Sequence, residues 1–489
     1  MNIFFNVYMS SYLSNILKLA GATAFAQALT ILASPIITRM YSPEAFGLSA
    51  LFSSVTAIIA IIACLRYDPA IMLPLKEEDA ANLLALSFIS ATIMGSITAL
   101  VIWLCGDELL RLVNAQALQQ YLWLVPISVF LSGISLAMNY WNSRTKKFGR
   151  LSIARVAASI AGTGTQVGAG FAGHPTGGSL IGAGVLALII STLLLSIQIW
   201  RTDIRIFKES IGYKRVVSTL KRYKRFPIFD SWATLLNTVS WQLPIFLLSA
   251  FFSPKVVGYY SLGMIALQMP MSLVGSAIGQ VFFQQAADAN FCSKKSLARI
   301  VESTFYSLFV IGLFPIFILL LAGNDIFIVI FGPNWGEAGV YAQILALWIF
   351  FWFIYSPIST LFSIFEIQGK YLLFNVILIV SRASSLILGG FAGDARIALT
   401  LFSILGLLVY AGVNFWLLSK ADISIKKIFT KLLPPIILSI ALLSFVAFAK
   451  WYLVLDHKGI VFIACFTIFL YYIIILFAVR SKKHSLAFG

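Results

Sequence analysis

Two arginines lie inside long apolar segments of the sequence, and their side chains have the clearest potential for chemistry. Arg382 is near the middle of one segment, and Arg155 is about one helical turn from the end of another. An arginine at the centre of a membrane helix costs roughly 2.5–3.5 kcal/mol to insert, so it usually faces a partner or a cavity. Arg382 is therefore predicted either to face a water-filled ligand site or to form an ion pair. Arg155 either faces such a site or extends to the cytoplasmic interface.

Polar and small side chains share the helix faces of these arginines and recur on two other apolar segments. At helical spacing, Asn375 lies on the face of Arg382, and Gln166 lies on the face of Arg155. Such faces either bind a hydroxyl-rich ligand or hold neighbouring helices together. The forked donors of arginine suit a pyrophosphate or an acidic sugar. The predicted substrate-binding residues are Arg382, Arg155, Asn375, Gln166, Gln27 and Asn237.

The segments that carry these residues are long enough and apolar enough to cross a bilayer. Of the 489 residues, 60% are hydrophobic and 11% are charged, and the mean hydropathy is +0.94. Soluble domains have about a quarter of their residues charged, whereas a membrane span needs about 20 apolar residues. The sequence therefore predicts an all-α polytopic membrane protein with about 14 transmembrane helices, the first of them a span rather than a cleaved signal peptide. The predicted spans are 17–38, 46–65, 82–104, 119–140, 151–171, 178–200, 229–252, 258–283, 301–322, 340–365, 371–390, 396–418, 430–449 and 459–479.

Lysine and arginine residues are distributed unevenly between the joints that alternate along these spans. Of the 35 residues, 27 lie in joints on one side, six lie on the other side and two lie within spans. Positively charged joints remain in the cytoplasm, so the heavily charged side and both termini are assigned there. Asp230 and Glu302, near cytoplasmic helix ends, are expected to be solvated or to pair with Arg155.

A short motif, Ser-Pro-x-x-x-Gly, recurs at 42–47 and 253–258, an offset of 211 residues. Each copy follows the first span of a six-helix half, which favours an internal repeat over chance recurrence of a common turn. Because six is even, the two halves are predicted to be related by a pseudo-twofold axis along the membrane normal. The predicted divisions are an N-terminal lobe (1–200), a basic cytoplasmic connector (201–228), a C-terminal lobe (229–418) and two additional helices with a tail (419–489).

The basic connector contains nine lysines and arginines within 201–226. Apolar residues recur there at roughly helical spacing, which predicts a surface helix along anionic lipid headgroups. The remaining positive charges lie in joints between spans rather than on one face of a soluble domain. This distribution favours membrane lipids as partners over nucleic acid.

Motifs of enzymes and of ATP-driven pumps are missing from the sequence. The three histidines lie in predicted loops or the tail, the four cysteines have no metal-ligand spacing, and there is no phosphate-binding glycine loop. The predicted function is therefore a secondary transporter or flippase, without catalytic residues, cofactor or metal. A multidrug or cation antiporter and a membrane glycosyl polymerase are the alternatives.

Three segments carry a resemblance to a known family. They are Ile-Thr-Arg-Met-Tyr-Ser-Pro-Glu-Ala-Phe-Gly at 37–47, Leu-Arg-Tyr-Asp-Pro-Ala-Ile-Met-Leu-Pro at 65–74 and Phe-Gly-Pro-Asn-Trp at 331–335. Together they resemble the polysaccharide (O-antigen repeat-unit) flippases, which share a superfamily with the multidrug and toxin extruders.

The resemblance implies two six-helix lobes around a central cationic cavity, with two extra C-terminal helices. It also implies movement of undecaprenyl-pyrophosphate-linked oligosaccharide across the bacterial inner membrane, in lipopolysaccharide biosynthesis. Polysaccharide polymerase and assembly proteins are implied as further partners. By position, Arg155 and Arg382 would be cavity residues, and Arg66 would lie at a cytoplasmic helix end as a further substrate-binding residue.

Overall fold

The computed structural model describes residues 2–112, 114–270, 275–453 and 455–487. Side chains are not described for 2–20, 478–487 and positions 270, 276, 277, 280 and 291. Over the described residues the chain is helical and contains no strand, which confirms the predicted all-α class. By packing, the chain divides into two compact units, Met1–Gly258 and Tyr259–Gly489.

The first unit contains nine helices and the start of a tenth within its described residues. Short 3₁₀ and π turns at Gln116–Tyr121 and Phe226–Asp230 interrupt the series. The helices are α1 (Asn2–Met40), α2 (Pro43–Ala60), α3 (Tyr67–Ala70), α4 (Glu77–Leu112), α5 (Leu124–Arg144), α6 (Phe148–Phe171), α7 (Gly177–Ser210), α8 (Tyr213–Arg222) and α9 (Ser231–Phe251).

The second unit takes in most of α10 and the eight helices that follow it. Residues 271–274, inside the predicted span 258–283, lie outside the described residues. The helices are α10 (Pro254–Pro270), α11 (Ser276–Cys292), α12 (Lys294–Phe331), α13 (Gly336–Ile358), α14 (Leu361–Ile364), α15 (Gln368–Phe391), α16 (Ala395–Lys420), α17 (Ile425–Tyr452) and α18 (His457–Ala487).

Predicted spans and observed helices correspond along the chain. Among the described residues, 12 helices are long and apolar enough to cross a membrane. The predicted spans 151–171 and 258–283 also coincide with helices, α6 and the pair α10 and α11, which are not among those 12. Several helices run past the apolar region, because a backbone ladder can continue where side chains become polar. The first ten residues of the predicted connector 201–228 thus continue α7.

The two copies of the Ser-Pro-x-x-x-Gly motif contact each other within the first unit. Ser42 accepts a hydrogen bond from the Ala45 amide at the start of α2, and Ser253 caps α10 in the same way. A Cβ atom at Gly47 would overlap the carbonyl group of Pro254, and one at Gly258 would overlap the carbonyl group of Pro43. The contact is reciprocal, and both positions need glycine because backbone meets backbone.

Candidate functional site

Arg382 is buried in α15, where 5% of its surface is exposed. One guanidinium nitrogen, Nη2, donates a hydrogen bond to the Tyr410 hydroxyl of α16 at 3.2 Å. The Tyr410 ring belongs to an aromatic cluster, with centroids 5.9 Å from Trp348, 5.3 Å from Tyr355 and 5.7 Å from Phe374. The cluster fixes the hydroxyl, and through it the direction of the arginine.

Arg155 has a more open setting on α6, where its side chain is exposed. Its Nη1 atom donates to the Thr23 hydroxyl of α1 at 2.5 Å. One turn further along, the Ser159 hydroxyl donates to the carbonyl of Ala26 at 3.1 Å. The polar faces predicted on the first and fifth spans therefore meet, and some of their members hold the two helices together.

The other predicted binding residues are scattered among several helices. The Asn375 amide donates to the Tyr371 carbonyl of its own helix at 2.8 Å. Gln166 accepts the Tyr41 hydroxyl through its backbone carbonyl at 2.7 Å. Gln27 is half-buried on α1, and Asn237 is exposed on α9. Each unit brings together only part of the predicted set, and the assignment of all seven residues to substrate binding stays a prediction.

Arg66 forms the centre of an ion-pair cluster between α2 and α3. Its Nε atom donates to Asp230 Oδ2 at 2.8 Å, and its Nη1 atom lies 3.8 Å from Asp68 Oδ2. Leu65 and Arg66 both have positive φ, 48° and 60°. Non-glycine residues in this region store roughly 1–3 kcal/mol each, and such strain concentrates at functional sites. The strained turn directs the Arg66 side chain towards the start of α9.

The Asp68 carboxyl in this cluster is fully buried. Burial raises its pKa to about 6, although the charge of Arg66 favours the ionised form. For Arg66, burial opposes the charge, but the hydrogen bond that it donates to Asp230 and the negative charge of Asp68 outweigh burial and raise the pKa. Asp68 is thus a group that changes charge near neutral pH beside a fixed cation.

The two acids expected to be solvated or to pair with Arg155 pair with other bases. Asp230 pairs with Arg66, and Glu302 forms ion pairs with Lys427, at 3.5 Å, and with Lys431 of α17. The prediction of Arg155 as their partner is wrong. The turn before α3 places Arg66 beside Asp230, and the first turns of α17 place Lys427 and Lys431 beside Glu302.

A polar groove that sequence reasoning missed lies between α11 and α12. It encloses about 330 Å³ and is lined by Gln285, Ser296, Arg299, Ile300, Ser303 and Thr304. Along α12 the polar positions have helical spacing, so they share one face. The predicted span begins at 301 and therefore divides this face. Arg299 is then counted only among the positive charges of the segment between two spans. A helical plot from 294 onward would have shown the face.

The basic connector is anchored to the acidic start of α4. Arg215 lies 3.2 Å from Glu78, and Arg222 lies 3.7 Å from Asp79. The Asn82 amide donates to the Ser210 carbonyl at 3.0 Å. Amphipathic α8 therefore packs on protein along part of its length.

Comparison with known proteins identifies the family of the chain. The sequence profile of a family described as polysaccharide biosynthesis protein matches residues 36–340. The chain belongs to this family. A search of curated proteins finds no match. The family membership and the fold agree with the resemblance seen in the three sequence segments.

Two solved structures show the same fold. A lipid II flippase, MurJ, in an inward closed conformation is 13% identical, with 94% of this chain and 99% of that chain covered and a TM-score of 0.69. An inward-facing multidrug resistance MATE family transporter of the MOP superfamily is 15% identical, with 83% and 98% covered and a TM-score of 0.66. The predicted architecture, a MATE-like fold with additional C-terminal helices, is confirmed. The chain is a multi-pass membrane protein of the polysaccharide biosynthesis family.

Proposed function

We propose that this protein is a flippase that moves undecaprenyl-pyrophosphate-linked oligosaccharide repeat units across the bacterial inner membrane by alternating access. The observation that carries the proposal is a polysaccharide-biosynthesis family match on a fold shared with a lipid II flippase. In this proposal the termini lie in the cytoplasm, the protein acts as a transporter rather than an enzyme, and the product supplies O-antigen assembly.

The polar groove of α11 and α12 has the chemistry to bind part of the substrate headgroup. The exposed Arg299 can donate two parallel hydrogen bonds to a phosphate, and the Ser303 and Thr304 hydroxyls and the Gln285 amide can bond sugar hydroxyls. Its volume of about 330 Å³ is at the small end for ligand pockets, so it suits part of the headgroup rather than a whole repeat unit.

Arg382 is assigned a positioning role in this proposal. Its buried charge and its bond to Tyr410 give α15 a fixed cation in an apolar setting. Such a charge favours an anionic substrate over an organic cation, because opposite charges attract more strongly where water is excluded.

Complementation of a deletion strain tests the function. Without the protein, lipid-linked repeat units are expected to accumulate on the cytoplasmic leaflet, and surface polysaccharide is expected to be absent. Surface display of single, unpolymerised repeat units would instead identify a polymerase. Altered drug susceptibility with normal surface glycan would identify an antiporter.

Two variants test the site in the same strain. Arg382→Gln is expected to abolish surface polysaccharide at an unchanged protein level, and full surface polymer would remove Arg382 from the mechanism. Arg299→Ala is expected to lower the flipping rate about tenfold, since a charge-assisted hydrogen bond contributes about 1.5–3 kcal/mol. Lys294→Ala, on the same helix but outside the groove, is the control and should retain the wild-type rate.

A further inference from the structure

A second concave surface, between α15 and α16 of the second unit, has a chemistry opposite to that of the polar groove. It encloses about 430 Å³ and is lined by apolar side chains, among them Leu373, Ile377 and Leu408. These three are 59%, 46% and 63% exposed, so the surface is open along its length. On helices long enough to span a bilayer, an open apolar groove faces hydrocarbon.

One end of this apolar groove is positively charged. Lys370 alone among its described lining residues is charged, and its Nζ atom lies 5.1 Å from the centre of the Trp416 ring. Tryptophan and lysine are enriched where a membrane helix meets the headgroups. α15 begins at Gln368, and its first turn contains no acidic residue, so the partial positive charge of the helix N-terminus adds to that of Lys370.

Gly412 forms an open position in the wall of the same groove. A Cβ atom built there would meet no atom within 4 Å. On α16 it follows Leu408 by one turn and precedes Trp416 by one turn, which places it on the groove face between the apolar and the charged ends. The missing side chain leaves room for an occupant that runs along the helix.

We propose that this groove binds an anionic phospholipid of the surrounding bilayer, with its phosphate at Lys370 and one acyl chain passing Gly412. A single lysine matches the single negative charge of a phosphodiester. From Lys370 to Ile377 the groove covers two turns, about 10 Å, or roughly a third of the hydrocarbon thickness. It therefore accommodates the first part of one chain. This inference is independent of the proposed transport function.

Native mass spectrometry of the delipidated full-length protein, titrated with phosphatidylglycerol, tests the inference. The wild type is expected to retain one lipid above the common background of adducts. Lys370→Ala should weaken that binding about fivefold, because one basic residue at a membrane surface contributes about that factor. Gly412→Leu should remove the bound lipid by filling the groove, and it also replaces a helix-weakening glycine.

Gly164→Leu is the matched control. A Cβ atom built at Gly164 of α6 would also meet no atom within 4 Å, and this residue lies outside the groove. It is expected to bind lipid as the wild type does. Wild-type binding by both groove variants would overturn the proposal. Equal retention of zwitterionic phosphatidylethanolamine would also overturn it. So would displacement of phosphatidylglycerol by undecaprenyl diphosphate at a lower concentration, if that displacement depends on Lys370. The second result would show that the charge does not select the lipid, and the third that the occupant is a polyprenyl lipid.

Discussion

The two units fix their arginines in different ways. In the first unit, Arg66 pairs with Asp230 beside the buried Asp68 at a joint between helices. In the second unit, Arg382 bonds to the neutral hydroxyl of Tyr410 inside an aromatic cluster. Carboxylate pairing makes a site sensitive to pH and salt, whereas an aromatic setting leaves the cation charged and its geometry set by packing. The stability of the Arg66 cluster should therefore change with pH and salt concentration, whereas that of the aromatic cluster around Tyr410 should not.

The largest effect is expected at Asp203, another buried acid of the first unit. Its carboxylate accepts from Lys147 at 2.5 Å, from Arg150 at 3.2 Å and from the Trp141 indole at 3.0 Å. Asp203→Ala leaves two cations facing each other, and breaking a buried pair costs about 3–5 kcal/mol. Because Lys147 is partly exposed, we expect a loss of about 3 kcal/mol.

Denaturant unfolding in detergent micelles measures this loss. Asp107→Ala, which removes an exposed carboxylate of α4 that accepts from Gln119, is the control, and its effect should stay within about 0.5 kcal/mol. Equal stabilities of the two variants would show that the buried network is not essential to the first unit.

The pH dependence of stability is the next largest effect, and it belongs to Asp68. Its pKa in the folded protein, about 6, lies above its ordinary value. The folded state therefore binds this proton more tightly than the unfolded chain, so the stabilisation is complete at low pH and is lost as pH rises through 6. Asp68→Asn mimics the protonated form and should be more stable than the wild type at pH 7, by on the order of 2 kcal/mol.

Melting temperatures of wild type and Asp68→Asn, measured from pH 4.5 to 7.5, separate these contributions. The two curves should approach each other towards the acidic end of this range, separate as pH rises to about 6, and keep a constant separation above it, because the carboxyl is then ionised in both the folded and the unfolded state. Curves that stay parallel over the whole range would contradict the assignment of the titration to Asp68. Tyr410→Phe should show such a parallel curve, because it changes no group of the Arg66 cluster.

A smaller, pH-independent loss is expected for Tyr410→Phe itself. Removing the hydroxyl takes away one hydrogen bond to a charged group, which contributes about 1.5–3 kcal/mol, and phenylalanine preserves the ring contacts. We expect a loss near the lower end of that range. Tyr452→Phe on α17 is the control, since that side chain is 75% exposed. A strong salt dependence of the Tyr410→Phe effect would contradict the proposed difference between the units.

The smallest effect is expected where α8 meets α4. Arg215 and Glu78 are more than half exposed, so water screens their attraction. A double-mutant cycle with alanine at both positions should give a coupling of about 0.2–1 kcal/mol that falls as salt is added. A coupling above about 2 kcal/mol would show that surface ion pairs in this unit are stronger than their exposure indicates.

The sequence was sufficient for the helices and for the repeat, because both depend on local patterns. Apolar length located α4 and α7, and a six-residue motif marked Gly47 and Gly258 as equivalent positions, although their contact is visible only in the structure. Their ends were less predictable, because α7 continues ten residues into a basic segment that has no hydropathy signal.

The candidate site was less predictable, since its contacts join residues that are distant along the chain. Arg66 and Asp230 are 164 positions apart, and nothing local to either residue indicates the pair. By sequence Asp68 resembles an ordinary loop aspartate, and its full burial on the short helix α3 is visible only in the structure. Arg382 is recognisable in the sequence as a charged residue near the middle of an apolar segment. Its hydrogen bond to the Tyr410 hydroxyl of α16 is visible only in the structure.

The reciprocal glycine contact also constrains how the sequence can diverge. Gly47 and Gly258 each face the other copy's backbone, so a mutation at either one is felt by both motifs. A second mutation at the partner position would add another side chain to the overlap instead of removing it. No pair of larger side chains can therefore restore this contact. Homologous chains that retain this joint should therefore keep both glycines together.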